Sequence, residues 1–128
     1  MRFRPLLACL AAAGMAMSAS AAYAQGDPAQ GQRAFNKCRT CHELDRELNK
    51  IGPHLVGVFG REAGAVEDFN YSDALKESGV VWDDETIAEY VRNPRDFIPG
   101  NRMAFAGIRN DQEIEDLLAY LRQATGES

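Results

Sequence analysis

Two cysteines and a histidine stand together as Cys38-Arg39-Thr40-Cys41-His42, a C-x-x-C-H arrangement. On a helical turn the two thiols lie about one turn apart, so each can add across one vinyl group of a haem. The imidazole that follows is then carried beneath the iron as a fixed axial ligand. Three other chemistries draw on similar residues. A redox disulfide of the C-x-x-C type needs a preceding strand and a βαβ setting, and no strand pattern precedes Cys38. A zinc site needs four ligands. The pool is Cys38, Cys41, His42 and His54, in which adjacent Cys41 and His42 would strain a tetrahedral cage. A structural disulfide leaves the loops downstream with nothing to wrap. Haem attachment accounts for the motif best.

An iron held by one imidazole needs a sixth ligand if it is to pass electrons rather than bind small molecules. Met103 is the only methionine beyond residue 17, and it lies in a segment bounded by Pro99, Gly100 and Gly107 rather than at a helical core spacing. A thioether is soft and favours Fe(II), so a His/Met pair raises the reduction potential. His54 is the rival ligand, but it follows His42 by twelve residues through a turn containing Pro53. That path is poorly suited to reach the opposite face. With His42 and Met103 both on the iron, no position is open to substrate or dioxygen. This excludes a peroxidase-like enzyme and implies electron transfer at a haem edge.

The elements that must position these groups read as helices. Asp27-Pro28 is an N-cap acceptor followed by proline at the first helical position. Gly31, Phe35 and Cys38 fall on one face. Residues 44–60 lack helical periodicity and carry Gly52, Pro53, Gly57 and Gly60, which predicts an ordered loop. A short helix is expected from Tyr71 to Ser78, stopped at Gly79. Another is expected from Asp84 to Arg92, ending before Pro94 because the residue before proline disfavours helix. Residues 98–107 read as a loop. The last helix starts at Asn110, with Glu113 as a capping-box partner and Ile114, Leu117, Leu118 and Leu121 as its apolar stripe. No repeat or strand pattern stands out. So few short helices bury little surface by themselves, and the loops read as wrapping something large and apolar that the chain does not encode.

Residues 1–24 read as a cleaved secretory signal peptide. Arg2 and Arg4 form the charged start, Leu6 to Met17 the apolar stretch, and Ala22-Tyr23-Ala24 the small-x-small cleavage pattern. Cys9 falls within it. Residues 25–128 then form a single domain. They keep 12 of the 14 basic residues and all 19 acidic ones, so the formal charge moves from −5 to −7. An acidic domain of this kind is a poor nucleic-acid binder.

The motifs Cys38–His42, Gly52-Pro53-His54-Leu55, Gly57-Val58-Phe59-Gly60-Arg61, Tyr71-Ser72-Asp73-Ala74, Trp82, Asn93-Pro94, residues 99–107 and residues 116–121 occur in one order. In these the chain resembles the class I cytochrome c family, and within it the mitochondrial-like bacterial branch. The resemblance implies an all-α cytochrome c fold, with short helices and loops around one covalently attached haem c and with the first and last helices crossing. It implies thioethers from Cys38 and Cys41 and axial ligation by His42 and Met103. It also implies a Pro53 carbonyl that accepts the second ring N–H of His42, and propionate contacts from Arg61, Tyr71 and Trp82. Ser72 and Asn101, where the family usually has threonine, are expected to assist. Tyr90 is expected near the Met103 sulfur, and Phe105 over the haem edge. Two departures stand out. Leu75 occupies a position where asparagine is common, and Asp96 replaces a characteristic lysine.

The same resemblance implies a periplasmic, monomeric carrier that docks transiently. Its donor would be a quinol-oxidising cytochrome complex, and its acceptor a terminal oxidase or a photosynthetic reaction centre. Arg33, Lys37, Lys50, Arg95, Arg102 and Arg109 are expected to ring the haem edge. The acidic clusters, including Glu113, Glu115 and Asp116, are expected elsewhere.

Overall fold

A computed structural model describes residues 26–126, so the signal segment and its cleavage site lie outside the described residues. Five helices follow in order: α1 (Pro28–Phe35), α2 (Asp73–Lys76), α3 (Asp84–Arg92), α4 (Pro94–Phe97) and α5 (Asp111–Ala124). No helix among them is long and apolar enough to cross a membrane.

The frame is the crossing of α1 and α5. Asp27 caps α1 with its side chain, accepting from the Ala29 N–H at 2.9 Å, and Pro28 takes the first helical position. Gly31, Ala34 and Phe35 then share one buried face. On α5 the expected stripe is buried: Ile114, Leu117, Leu118 and Leu121 all face inward. Each such side chain contributes ~1.5–3 kcal/mol on burial. Gly31 sits where the helices touch. A Cβ built there would overlap the Asp116 carbonyl and come within 2.7 Å of the Tyr120 Cβ. Asp116, though charged, is buried and satisfied: it accepts from the Asp27 N–H at 2.8 Å and from Gln112 Nε2 at 2.9 Å. It thus ties the start of α1 to α5. Phe35 packs on Tyr120 with ring centroids 5.8 Å apart.

Elsewhere the observed elements refine the expected ones. α3 has the expected bounds. α2 is a single turn, shorter than the expected Tyr71–Ser78 helix. Ser72 Oγ accepts from the Leu75 N–H at 3.1 Å, which makes Ser72 the cap and leaves Tyr71 outside. Ser78 Oγ donates to the Leu75 carbonyl at 2.8 Å and closes the other end. α4 was not expected: Asn93, extended as a residue before proline must be, ends α3 and caps the next turn. The reciprocal capping box lies at α3, between Asp83 and Thr86. At α5 the Asn110 side chain accepts from the Glu113 N–H at 2.9 Å, but the Glu113 carboxylate turns away to Lys37 at 2.7 Å.

The long stretch from residue 44 to residue 72 holds no helix. It is closed instead by one short antiparallel contact, the bridge between Glu62 and Val81. Gly60 N–H donates to the Trp82 carbonyl at 2.6 Å, Trp82 N–H to the Arg61 carbonyl at 2.9 Å, and Ala63 N–H to the Val80 carbonyl at 2.8 Å. Arg61 and Trp82 are thereby held opposite one another by backbone alone.

Candidate cofactor site

The C-x-x-C-H segment continues directly from α1. Cys38 N–H donates to the Phe35 carbonyl at 2.7 Å, Cys41 N–H to the Cys38 carbonyl at 3.1 Å, and His42 N–H to the same carbonyl at 3.0 Å. These bonds form the helical turn that sets the two sulfurs one turn apart. Both cysteines are free thiols. Burial pushes the Cys38 thiol up to about 11 despite the nearby Lys37. It is therefore a neutral thiol at pH 7, unlike the low-pKa thiolate of a redox-active C-x-x-C.

His42 is fixed by its neighbour. Its Nδ1 lies 2.8 Å from the Pro53 carbonyl oxygen. A carbonyl only accepts, so Nδ1 carries the proton and Nε2 keeps its lone pair. Burial, which outweighs the Pro53 bond, pulls the imidazole below its usual range and keeps it neutral. Gly52 allows this approach, since a Cβ at that position would run into the His42 ring. His54 is engaged within its own loop. Its N–H donates to Asn49 Oδ1 at 3.0 Å, and its Nδ1 accepts from the Val56 N–H at 3.2 Å. Asn49, which also donates to Asp68 Oδ1 at 3.0 Å, organises this loop. Nothing in the motif pattern marks it.

Arg61 is the most telling side chain. One terminal nitrogen donates to the Val56 carbonyl at 3.2 Å, yet Nε is buried with no partner. Burial holds its guanidinium below the usual arginine range. A desolvated cation with an orphaned donor needs an anionic acceptor, and a haem propionate is such a group. Tyr71, buried beside it, accepts the Val66 N–H at 3.2 Å and stacks edge-on with Phe69 at 4.9 Å. Ser72 Oγ is an acceptor in the α2 cap and keeps its own proton free to donate.

Trp82, Tyr90 and Phe97 form a row, with centroids 5.1 Å and 6.3 Å apart. Burial pushes the Tyr90 hydroxyl up to about 12. Leu75 packs in the core beneath α2. Met103 is half-buried, with its N–H on Asn101 Oδ1 at 2.8 Å, and the Phe105 N–H donates to its carbonyl at 3.0 Å. Phe105 is half-buried against the core. The Asn101 amide is engaged at the methionine loop, donating to the Pro94 and Ile98 carbonyls and accepting from the Met103 N–H.

The basic ring also needs correction. Lys37 is ion-paired with Glu113, and Lys50 lies 3.6 Å from Glu43 while donating to the Arg39 carbonyl at 2.8 Å. Crossing α1 on α5 brings the end of one helix to the start of the other, so Glu113 stands among the cations and Asp116 is buried. Arg102 is likewise engaged, donating to the Tyr71 carbonyl at 2.6 Å.

Two unpaired thiols on one turn, an imidazole with a free Nε2 and a half-buried cation whose buried Nε lacks a partner, all on a helical frame with long loops, suit a covalently held haem. Comparison with known proteins agrees. The cytochrome c family model matches residues 28–125. Cytochrome c2 of Blastochloris viridis is 46% identical over 110 residues, covering 85% of this chain and 86% of that one. Cytochrome c-550 of Nitrobacter winogradskyi is 46% identical over 99 residues, covering 77% and 91%. The solved structure of cytochrome cH from Methylobacterium extorquens superposes with a TM-score of 0.72 at 39% identity, covering 77% of this chain and 99% of that one. The chain belongs to the cytochrome c family: it carries one covalently bound haem c, and it is an electron-transfer protein and not an enzyme.

Proposed function

We propose that this protein is a periplasmic one-electron carrier in which Cys38 and Cys41 form the thioethers and His42 and Met103 are the axial ligands. The observation that carries the reading is the 2.8 Å contact from His42 Nδ1 to the Pro53 carbonyl, one residue from a thiol turn with no disulfide. Pro53 holds the proton on Nδ1, so Nε2 is left as the neutral donor that would bind the iron, and the hydrogen bond increases its basicity. When bound, the haem supplies an iron that cycles between Fe(II) and Fe(III). Arg61, whose Nε is unpartnered, would hold one propionate, with Tyr71, Trp82 and Ser72 assisting. Trp82, Tyr90 and Leu75 exclude water from the methionine side, and Phe105 covers the edge. Burial and axial ligation together set the potential.

Residues 1–24 would direct export and be removed, consistent with attachment of haem outside the cytoplasm. The donor is a quinol-oxidising cytochrome complex. The acceptor is a terminal oxidase or, in a phototroph, a reaction centre. The protein docks as a monomer and only transiently.

Denaturation in acid and organic solvent tests the attachment: the haem stays with the polypeptide, and free extraction would refute the thioethers. Met103→Ala tests the ligand. The reduction potential falls, within the ~0.8 V range open to axial-ligand changes, and cyanide binds the ferric protein faster. An unchanged spectrum and potential would remove Met103 from the iron.

A further inference from the structure

Asn101 makes three hydrogen bonds with one carboxamide. Its Nδ2 donates to the carbonyls of Pro94 and Ile98, both at 2.8 Å, and its Oδ1 accepts from the Met103 N–H at 2.8 Å. An amide nitrogen has two protons, so both donors are used. The orientation is also unique. Carbonyls demand the nitrogen on one side, and the Met103 N–H demands the oxygen on the other. Pro94 opens α4 and Ile98 caps its end. The planar amide therefore spans from both ends of a helical turn to the backbone of the methionine. On the other side of that backbone, Arg102 reaches the Tyr71 carbonyl at 2.6 Å.

We propose that Asn101 is a positioning residue for the axial methionine: it braces the Met103 backbone against α4 and makes no contact with a propionate. This rests on Met103 being an iron ligand, and it replaces the propionate role that family resemblance implies for the position. A ligand on a loop stays bound only while the loop's opening is costly. Three hydrogen bonds to one rigid group oppose that opening where it would begin. A threonine hydroxyl has one proton and one short branch. It can meet a carboxylate, but it cannot bridge two carbonyls and an N–H at once.

The test compares holoprotein variants by equilibrium cyanide binding to the ferric form and by the sulfur-to-iron charge-transfer band. Asn101→Ala is expected to bind cyanide on the order of tenfold more tightly, the effect of losing one or two net hydrogen bonds from the closed state. It is also expected to weaken the band. Asn101→Thr keeps a propionate-competent hydroxyl and is the better tolerated variant. It is expected to resemble the alanine variant. If it matches the unsubstituted protein, the propionate role stands and the brace is overturned. Ile114→Ala, on the distant crossing, lowers global stability without touching the loop and is expected to leave cyanide affinity unchanged. Equal tightening there would reduce the Asn101 effect to general loosening and overturn the brace. Met103→Ala separates the two readings. If it leaves the band intact, the ligand assignment itself fails; if it abolishes the band while Asn101→Ala binds cyanide like the unsubstituted protein, only the brace fails.

Discussion

The crossing of α1 with α5 and the loop that carries Met103 are held together by opposite means. At the crossing Phe35, Ile114, Leu117 and Leu118 are almost fully buried, and Gly31 fixes the approach of the backbones by steric contact. In the loop, Ile98 and Ile108 are buried anchors, but the residues between them are half-buried or exposed and are fastened by polar contacts. Burial is diffuse and cooperative, so the crossing tolerates little change. Hydrogen bonds are discrete and individually small, so the loop can be adjusted one contact at a time. Stability resides in the first region; on the proposed ligation, the hold on Met103 resides in the second.

Gly31→Val strains this contrast hardest. Its side chain meets backbone on α5, where nothing flexible can yield, and a loss of at least ~3 kcal/mol is expected from denaturant unfolding. Near-normal stability would mean the helices are not in fixed contact. Leu117→Ala follows, with an expected cost of ~2–5 kcal/mol for the vacated volume and little change in cyanide affinity.

Arg61→Leu probes the polar side. Loss of a charged hydrogen bond is worth ~1.5–3 kcal/mol. On the proposed propionate contact, removing this cation also lowers the reduction potential, because the oxidised form carries more positive charge. If stability and potential both hold, Arg61 has no anionic partner.

Tyr90→Phe isolates a pH effect. Burial raises the Tyr90 hydroxyl to about 12, above an ordinary value near ~10. A group whose folded value is raised adds stability that is complete below the unfolded value and lost as pH climbs through the folded one. Stability is therefore expected to decline between about pH 10 and 12, and less steeply in the phenylalanine variant. Tyr71, also raised by burial, accounts for a remaining slope. Parallel slopes in the two proteins would deny Tyr90 that contribution.

The smallest effect is expected at the surface. Glu113→Gln breaks a half-exposed pair with Lys37, worth ~0–1 kcal/mol in stability. It also frees a cation for docking, so electron transfer to an acidic partner quickens at low ionic strength, and the gain fades with added salt. A slower rate would place Lys37 outside the docking face.

The same contrast explains what could be read from the sequence. The α5 stripe and the bounds of α3 were legible because periodicity and Pro94 act locally. The C-x-x-C-H turn was legible because its chemistry demands its spacing. α4 was not, since four residues carry no period. The antiparallel contact of Glu62 with Val81 was not, because a single bridged pair makes no alternating pattern and the pairing spans a helix. The Glu113 side chain was assigned to a capping box because its competitor, Lys37, comes from the far end of the fold. The Asn101 amide bonds were not legible for a related reason: its partners at Pro94, Ile98 and Met103 become neighbours only once α4 exists.

The Met103 loop is also closed at its neck. The Ile108 N–H donates to the Val91 carbonyl at 2.8 Å, and Gly107 lies so close to the Arg92 carbonyl that a side chain could not fit. The chain thus leaves α3 at Asn93 and returns to the same turn. A segment closed at its neck and held elsewhere by a few polar contacts can open as a unit while α1, α3 and α5 stay folded, a subglobal excursion of the kind that amide hydrogen exchange resolves. The Met103 amide is then expected to exchange through the small opening of that loop, and the amides of Leu117 and Leu118 only through unfolding of the whole domain. Opening of the Met103 loop and lifetime of the domain become separate clocks in one molecule.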